Sequence, residues 1–120
     1  MIIQTKIYLA GPMQGYKDFN FPAFHAYAKK LREQGYFVFS PAEADEKRHG
    51  VDALKSETGD VAQATANGGF SLREALYEDT KFICLEAEAI AMMPGWELSK
   101  GAQAEWALAR ALSLKIIYLT

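Results

Sequence analysis

The sequence predicts an α/β fold, a single three-layer domain around a parallel sheet of four to five strands, from three observations. Short β-branched or aromatic runs alternate with longer segments of helical spacing. A length of 120 residues fits one domain, 1–120, and leaves no room for a second of ordinary size. A glycine loop, Gly11-Pro12-Met13-Gln14-Gly15, follows the first run directly, where ligand loops sit in parallel sheets.

Ile2 to Leu9 is short and rich in β-branched residues, and it ends at Ala10-Gly11-Pro12, which predicts a buried first strand. Asn20 precedes a helical pattern in which Pro22 occupies the first turn. Phe24, Tyr27, Ala28 and Leu31 recur until Gly35, so the first helix is expected over 22–34. Tyr36 to Phe39, before Ser40-Pro41, makes a second strand, and the strand–helix–strand order implies parallel pairing with a right-handed crossover. From 43 to 69 charged, small and glycine-rich residues interrupt the periodicity. That stretch is long for a connection and is expected to be an irregular excursion or lid, with room for a short helix within 51–66. Ser71-Leu72-Arg73-Glu74 is a capping-box pattern that opens a helix over 71–86. Glu88 to Met93 reads as the third strand. Ser99 caps a helix over 100–112, and Lys115 to Leu119 closes the pattern. Such an order is flavodoxin- or Rossmann-like, with a ligand site beyond the carboxyl ends of the strands.

Composition removes several function classes. Thirteen Lys+Arg against fifteen Asp+Glu, a net charge of −2 and a pI near 5.7 argue against a nucleic-acid polymer as partner. Cys84 is alone, which excludes an internal disulfide and a cysteine zinc site, and His25 and His49 are too far apart to suggest a metal. No cofactor is expected. No apolar run approaches the ~20 residues that span a bilayer, and Met1 to Lys6 lacks the layout of a signal peptide, so a cytoplasmic chain without membrane contact is expected. The glycine loop has neither G-x-G-x-x-G nor G-K-[ST], against dinucleotide binding and phosphoryl transfer. It also lacks the hydroxyls that wrap a flavin phosphate, and no acidic pair follows the first strand to hold magnesium in the manner of a receiver domain.

Two acids lie on unexpected helix faces. At about 100° per residue, Asp79 falls in the sector of Leu72, Leu76, Ile83 and Glu86, with Ala75 and Phe82 at its edge. Arg73, Glu74, Glu78, Thr80 and Lys81 hold the opposite, solvent arc. In the next helix Lys100, Gln103, Arg110 and Ser113 form the wet stripe, and Glu105 projects about 200° from Gln103, beside Gly101, Ala102, Leu108 and Ala109. A carboxylate facing a core costs several kcal/mol unless it has partners or a polar cavity. Either acid alone fits a structural role, Asp79 paired with an arginine or Glu105 at a subunit boundary. Both together suit acid/base and nucleophilic work at a carbon centre. Tyr8, near the end of the first strand, is either core or a phenol that orients a nucleophile. Ser99-Lys100-Gly101 offers a helix N-terminus, a hydroxyl and a cation to a phosphate or carboxylate.

Lys6 to Met13, Phe19-Asn20-Phe21-Pro22-Ala23-Phe24, and Met93-Pro94-Gly95-Trp96-Glu97 through Ser99-Lys100-Gly101-Ala102 to Glu105 resemble the nucleoside 2-deoxyribosyltransferase-like superfamily, in particular its small phage and prophage members. The likeness covers nearly the whole chain outside 43–69. It implies cleavage of the N-glycosidic bond of a nucleoside or nucleotide, with Glu105 matching the nucleophile, Asp79 the residue that assists the departing base, and Tyr8 the tyrosine that orients the glutamate. Ser99, six residues before the nucleophile, resembles the 2′-deoxynucleoside 5′-phosphate N-hydrolases and would favour a phosphate, since serine donates a hydrogen bond without adding negative charge. Gly11, Met13, Gly15, Ser99, Lys100 and Gly101 are the expected substrate-binding positions. Pro12 replaces the serine those hydrolases carry in the glycine loop, and Glu88 stands where many relatives have aspartate.

The expected activity is therefore release or transfer of the base of a (deoxy)nucleoside 5′-monophosphate. The alternative is a non-catalytic nucleotide-binding or sensor module on the same fold. The resemblance also implies a homodimer or higher homo-oligomer, with Tyr77 and Trp106 near the edges of their helices' apolar sectors.

Overall fold

A computed structural model describes residues 3–50 and 55–120. Strands β1 (Lys6–Ala10), β2 (Phe37–Phe39), β3 (Ala89–Met92) and β4 (Lys115–Tyr118) form one parallel sheet in the order β2-β1-β3-β4. The helices are α1 (Phe21–Glu33), α2 (Pro41–His49), α3 (Val61–Gly68), α4 (Leu72–Leu85) and α5 (Lys100–Ala111). The α/β class and the parallel pairing are as the sequence predicts, with four strands among the described residues.

The two-residue period of the strands sorts the apolar side chains into two layers. Ile7 and Leu9 of β1, with Ala89 and Ala91 of β3, pack with Phe24, Ala28 and Leu31 of α1. Tyr8 and Ala10, with Ile90 and Met92, pack with Phe82 and Ile83 of α4 and with Ala102 and Ala109 of α5. Helices therefore cover both faces of the sheet, and the central strands are buried on each side, as parallel strands require. Each large side chain so buried contributes roughly 1.5–3 kcal/mol.

β1 pairs with β2 on one edge and with β3 on the other, so the chain changes its direction of sheet growth between them. The carboxyl ends of β1 and β3 splay their loops apart at that point, and a crevice opens there. Gly11, Met13, Gln14 and Phe19 after β1 and Ser99 after β3 line it.

Several boundaries differ from the sequence reading for identifiable reasons. The described part of the first strand begins at Lys6, while residues 3–5 are irregular and residue 2 lies outside the described residues. Asn20 does not cap α1 with its side chain. It adopts φ 63°, and its amide nitrogen donates to the Pro12 carbonyl at 3.0 Å. Asp18, Phe19 and Asn20 are three consecutive left-handed residues, at roughly 1–2 kcal/mol each. A clasp to Ser56, whose N–H donates to Asp18 Oδ1 at 2.8 Å, holds the turn and drives Phe19 into the interior. Glu86 is exposed rather than buried, because α4 has ended, and it pairs with Lys6 at 3.3 Å.

The stretch 43–69, expected to be an irregular excursion or lid, is helical over much of its described part. α2 starts immediately after β2, with Pro41 in its first turn, and buries only Pro41, Ala42 and Asp45, so its charged sequence carries no apolar stripe. α3 is capped by Asp60, whose Oδ1 accepts from Ala62 N–H at 2.9 Å, and it buries Ala64. It overlaps the end of the 51–66 window in which a short helix is expected and runs past it to Gly68, and residues 51–54 lie outside the described residues. No described helix is long and apolar enough to cross a membrane.

Gly11 is where β1 and β3 release their loops, and a Cβ there would stand 2.8 Å from Met93 Sδ and 2.9 Å from Met93 Cβ. Gly11→Ala is expected to lower stability by about 1–3 kcal/mol through overpacking. Urea unfolding checks this, and an unchanged midpoint would mean that the two loops do not meet here.

Candidate active site

Each reactive side chain is placed by the element that carries it. Tyr8 occupies an even position of β1, which turns it towards α4 and α5, and it is fully buried. Its ring stacks on Phe39 of β2 at 5.7 Å, and Phe39 stacks on Phe82 of α4 at 4.7 Å. The phenol thus has little rotational freedom. Its Oη donates to Glu105 Oε2 at 2.6 Å, a short charge-assisted hydrogen bond spanning 97 residues of sequence.

Glu105 and Asp79 are each 5% exposed. α5 is fixed at its N-terminus by Ser99 Oγ, which accepts from Ala102 N–H at 3.2 Å, and α4 by Ser71 Oγ, which accepts from Glu74 N–H at 3.2 Å. These caps set the rotation that aims both acids inward. No salt bridge reaches either carboxyl among the described residues, which removes the reading of Asp79 as an arginine-paired structural acid. Asp79 Oδ1 is buried with no hydrogen-bond partner.

Tyr8, Asp79 and Glu105 line one cleft at the carboxyl ends of β1 and β3, which holds about 640 Å³ of space, its open mouth included. That size suits a small organic molecule. Gly11, Met13, Ser99 and Gly101 line it as well. Lys100 and Gly15 do not. Lys100 lies on the exposed arc of α5 with Gln103 and Arg110, so it offers the site a backbone amide at most. Gly15 turns outward at φ 83° and its N–H is taken by Gly59 O at 3.0 Å.

A third acid, unforeseen in the sequence, joins the cleft. Asp45 of α2 is 4% exposed, and its Oδ1 accepts from Arg48 at 2.5 Å. Arg48 also reaches Glu74 at 3.5 Å. Apolar walls come from Phe19, Phe21, Phe70, Leu72 and Leu76. Pro41 in the first turn of α2 was the one available signal, since it begins a helix that places Ala42 and Asp45 on one face.

Burial raises all three carboxyls. Asp79 is pushed up to about 7 by desolvation first and then by the charge of Asp45, against a smaller lowering by the Tyr8 hydroxyl. Asp45 is raised to about 6 by desolvation, with Arg48 pulling the other way. Glu105 is raised by desolvation and by the Asp79 charge, while the Tyr8 hydrogen bond favours its anion. The Tyr8 phenol is held protonated by its own burial and by both neighbouring carboxyls. Near neutral pH the Asp79–Glu105 pair therefore retains a proton, and Tyr8 Oη donates its hydrogen to the Glu105 member.

The folded chain holds the Asp79 proton between about pH 4 and 7, where the unfolded chain has released it, so this stability is full below about pH 4 and is lost as pH rises through about 7. Asp79→Asn, which removes the charge but keeps the shape, is expected to be more stable than the unaltered protein at pH 8, on the order of a few kcal/mol, and equal to it at pH 4. Urea unfolding at both pH values measures the difference, and equal midpoints at pH 8 would contradict the burial of that charge.

No curated protein matches the chain. The family described as a domain of unknown function (DUF4406) matches residues 5–118, a span that contains every residue of the cleft, and the chain belongs to that family.

Proposed function

We propose that the protein cleaves the N-glycosidic bond of a (deoxy)nucleoside 5′-monophosphate, with Glu105 as nucleophile. The observation that carries this reading is the buried Tyr8–Glu105 hydrogen bond beside an orphaned Asp79 oxygen in one cleft. Two carboxyls in contrasting environments divide the roles of retaining glycoside cleavage. Tyr8 orients Glu105, and its hydrogen bond favours the carboxylate form against the opposing effects of burial and the Asp79 charge. Asp79, whose Oδ1 has no hydrogen-bond partner among the described residues, serves in this reading as the acid that carries the pair's proton.

Glu105 attacks C1′ as the C1′–N bond breaks, giving a glycosyl ester, and Asp79 passes its proton to the leaving base. The resulting Asp79 carboxylate then takes a proton from water, whose oxygen attacks C1′ and frees the sugar phosphate and Glu105. An acceptor base in place of water would give transfer. The phosphate fits the N-terminus of α5, where the Lys100 and Gly101 amides lie outside the helix's internal hydrogen bonds and Ser99 can still donate its hydroxyl proton. The resemblance to the deoxyribosyltransferase-like superfamily supports the same residues in the same roles. We infer a homo-oligomer on the same ground. Tyr77 is 61% exposed and available to a second copy, whereas Trp106 is occupied in its own chain by Trp96, Arg110 and Tyr118.

Incubation with each common or modified deoxynucleoside monophosphate, followed by chromatography, is expected to release free base. Glu105→Ala should abolish release, and Tyr8→Phe should reduce kcat by about 10–100-fold. The rate should fall as pH rises above about 7, where Asp79 loses its proton. No base release from any of them, or full activity in Glu105→Ala, would refute the assignment. A ligand that raises the melting temperature without turnover would point to the sensor reading instead.

A further inference from the structure

The mechanism uses Tyr8, Asp79 and Glu105 and leaves a third buried acid in the same cleft without a task. Asp45 reaches the cleft from α2, on an element separate from the other two, and its side chain is 5% exposed. Two features make it unlike a structural acid. Arg48 grips only Oδ1, at 2.5 Å, while Oδ2 has no hydrogen-bond partner among the described residues. The cleft it shares with Asp79 and Glu105, whose carboxyls feel its charge, is walled largely by apolar side chains, among them Phe19, Phe21, Phe70 and Leu72. Phe70 is itself held by Phe19 at 6.5 Å and by His49, on the last turn of α2, at 5.8 Å. A cleft with aromatic side chains in its wall and an acceptor held by Arg48 suits a planar heterocycle that carries an N–H donor.

We propose that Asp45 is the specificity-determining residue of the cleft, accepting a hydrogen bond from the exocyclic amino group of the bound base and disfavouring bases that present a carbonyl there. This rests on the nucleotide reading above. The Arg48 clamp fixes the carboxylate's direction before the ligand arrives, so little ordering remains to be done on binding. An oxo group in the amino position would set lone pairs against lone pairs and leave a buried acceptor unsatisfied. A site built to hydrogen-bond a substrate NH group rejects an analogue lacking it far more strongly than an apolar pocket rejects a changed methylene.

The test uses two matched pairs that differ only in amino against oxo: deoxyadenosine and deoxyinosine monophosphates, and deoxycytidine and deoxyuridine monophosphates. Calorimetric Kd values and base release are measured at pH 7.5 for the unaltered protein and for Asp45→Asn. The expected result is at least about tenfold tighter binding of the amino member in one or both pairs. In Asp45→Asn that ratio should fall to within about threefold, partly through a gain in affinity for the oxo member, because asparagine can donate as well as accept. An impaired fold cannot produce such a gain. Equal binding within both pairs by the unaltered protein overturns the proposal without recourse to any variant, as does discrimination that survives Asp45→Asn or binding of none of the four. Turnover without discrimination leaves the glycosidic reading standing and removes this one. Asp45-dependent discrimination in binding without turnover does the reverse.

Discussion

A single hydrogen bond, from Tyr8 Oη to Glu105 Oε2 at 2.6 Å, sets the terms for the rest of the structure. A carboxyl in a protein interior needs a hydrogen-bond partner, and here the donor comes from a strand 97 residues away in sequence. Tyr8 is delivered by the pleat of β1, and Glu105 by the rotation of α5. Shifting β1 by one residue would put Tyr8 on the α1 face and Ile7 or Leu9 against the acid. The register of the central strands and the caps of α4 and α5 are thereby tied to one contact of atomic dimensions.

Around that contact the fold accepts losses that a purely structural core would avoid. Among the described residues the buried polar atoms without partners are Ser40 Oγ, Arg48 Nε and Asp79 Oδ1. Asp79 lines the cleft, and Arg48 holds Asp45, which lines it too; each such atom costs roughly 1–3 kcal/mol. Three left-handed residues in a row add strain on the rim and bring Phe19 into the wall. Local rules are broken most densely where the chemistry is proposed, and the two apolar layers to either side of the sheet carry the compensation.

The fold was legible because its elements announce themselves locally. The helix starts capped by Ser71 and Ser99 stand where sequence spacing puts them, and the first strand stands there in its second half. Asp79 and Glu105 were legible for a related reason, since an acid in the apolar sector of an amphipathic helix breaks a pattern. α2 offered no such contrast. Its residues PAEADEKRH are polar on nearly every face, so Asp45 looked like one charge among several, and its burial follows from the placement of the whole helix over the crevice. The outward turn of Gly15 depends likewise on tertiary geometry, whereas the exposure of Lys100 already followed from its place on the wet stripe of α5. Spacing alone does not separate a helix N-terminus that offers amides from one that also offers its side chain.

The pairing of β1 with β3 joins Tyr8 to Ile90 across most of the chain, and Glu105 arrives later still. On a ribosome, which emits the chain from its amino end, a fragment ending before Ala89 has no strand to fill the right-hand side of β1 and no acid to meet the phenol. Ile7 to Ala10 would present apolar surface during that interval, and closing so long a loop is entropically slow. Competence therefore waits until β3 and α5 have been made, and products truncated before them carry an unpaired strand edge in place of a weakened site.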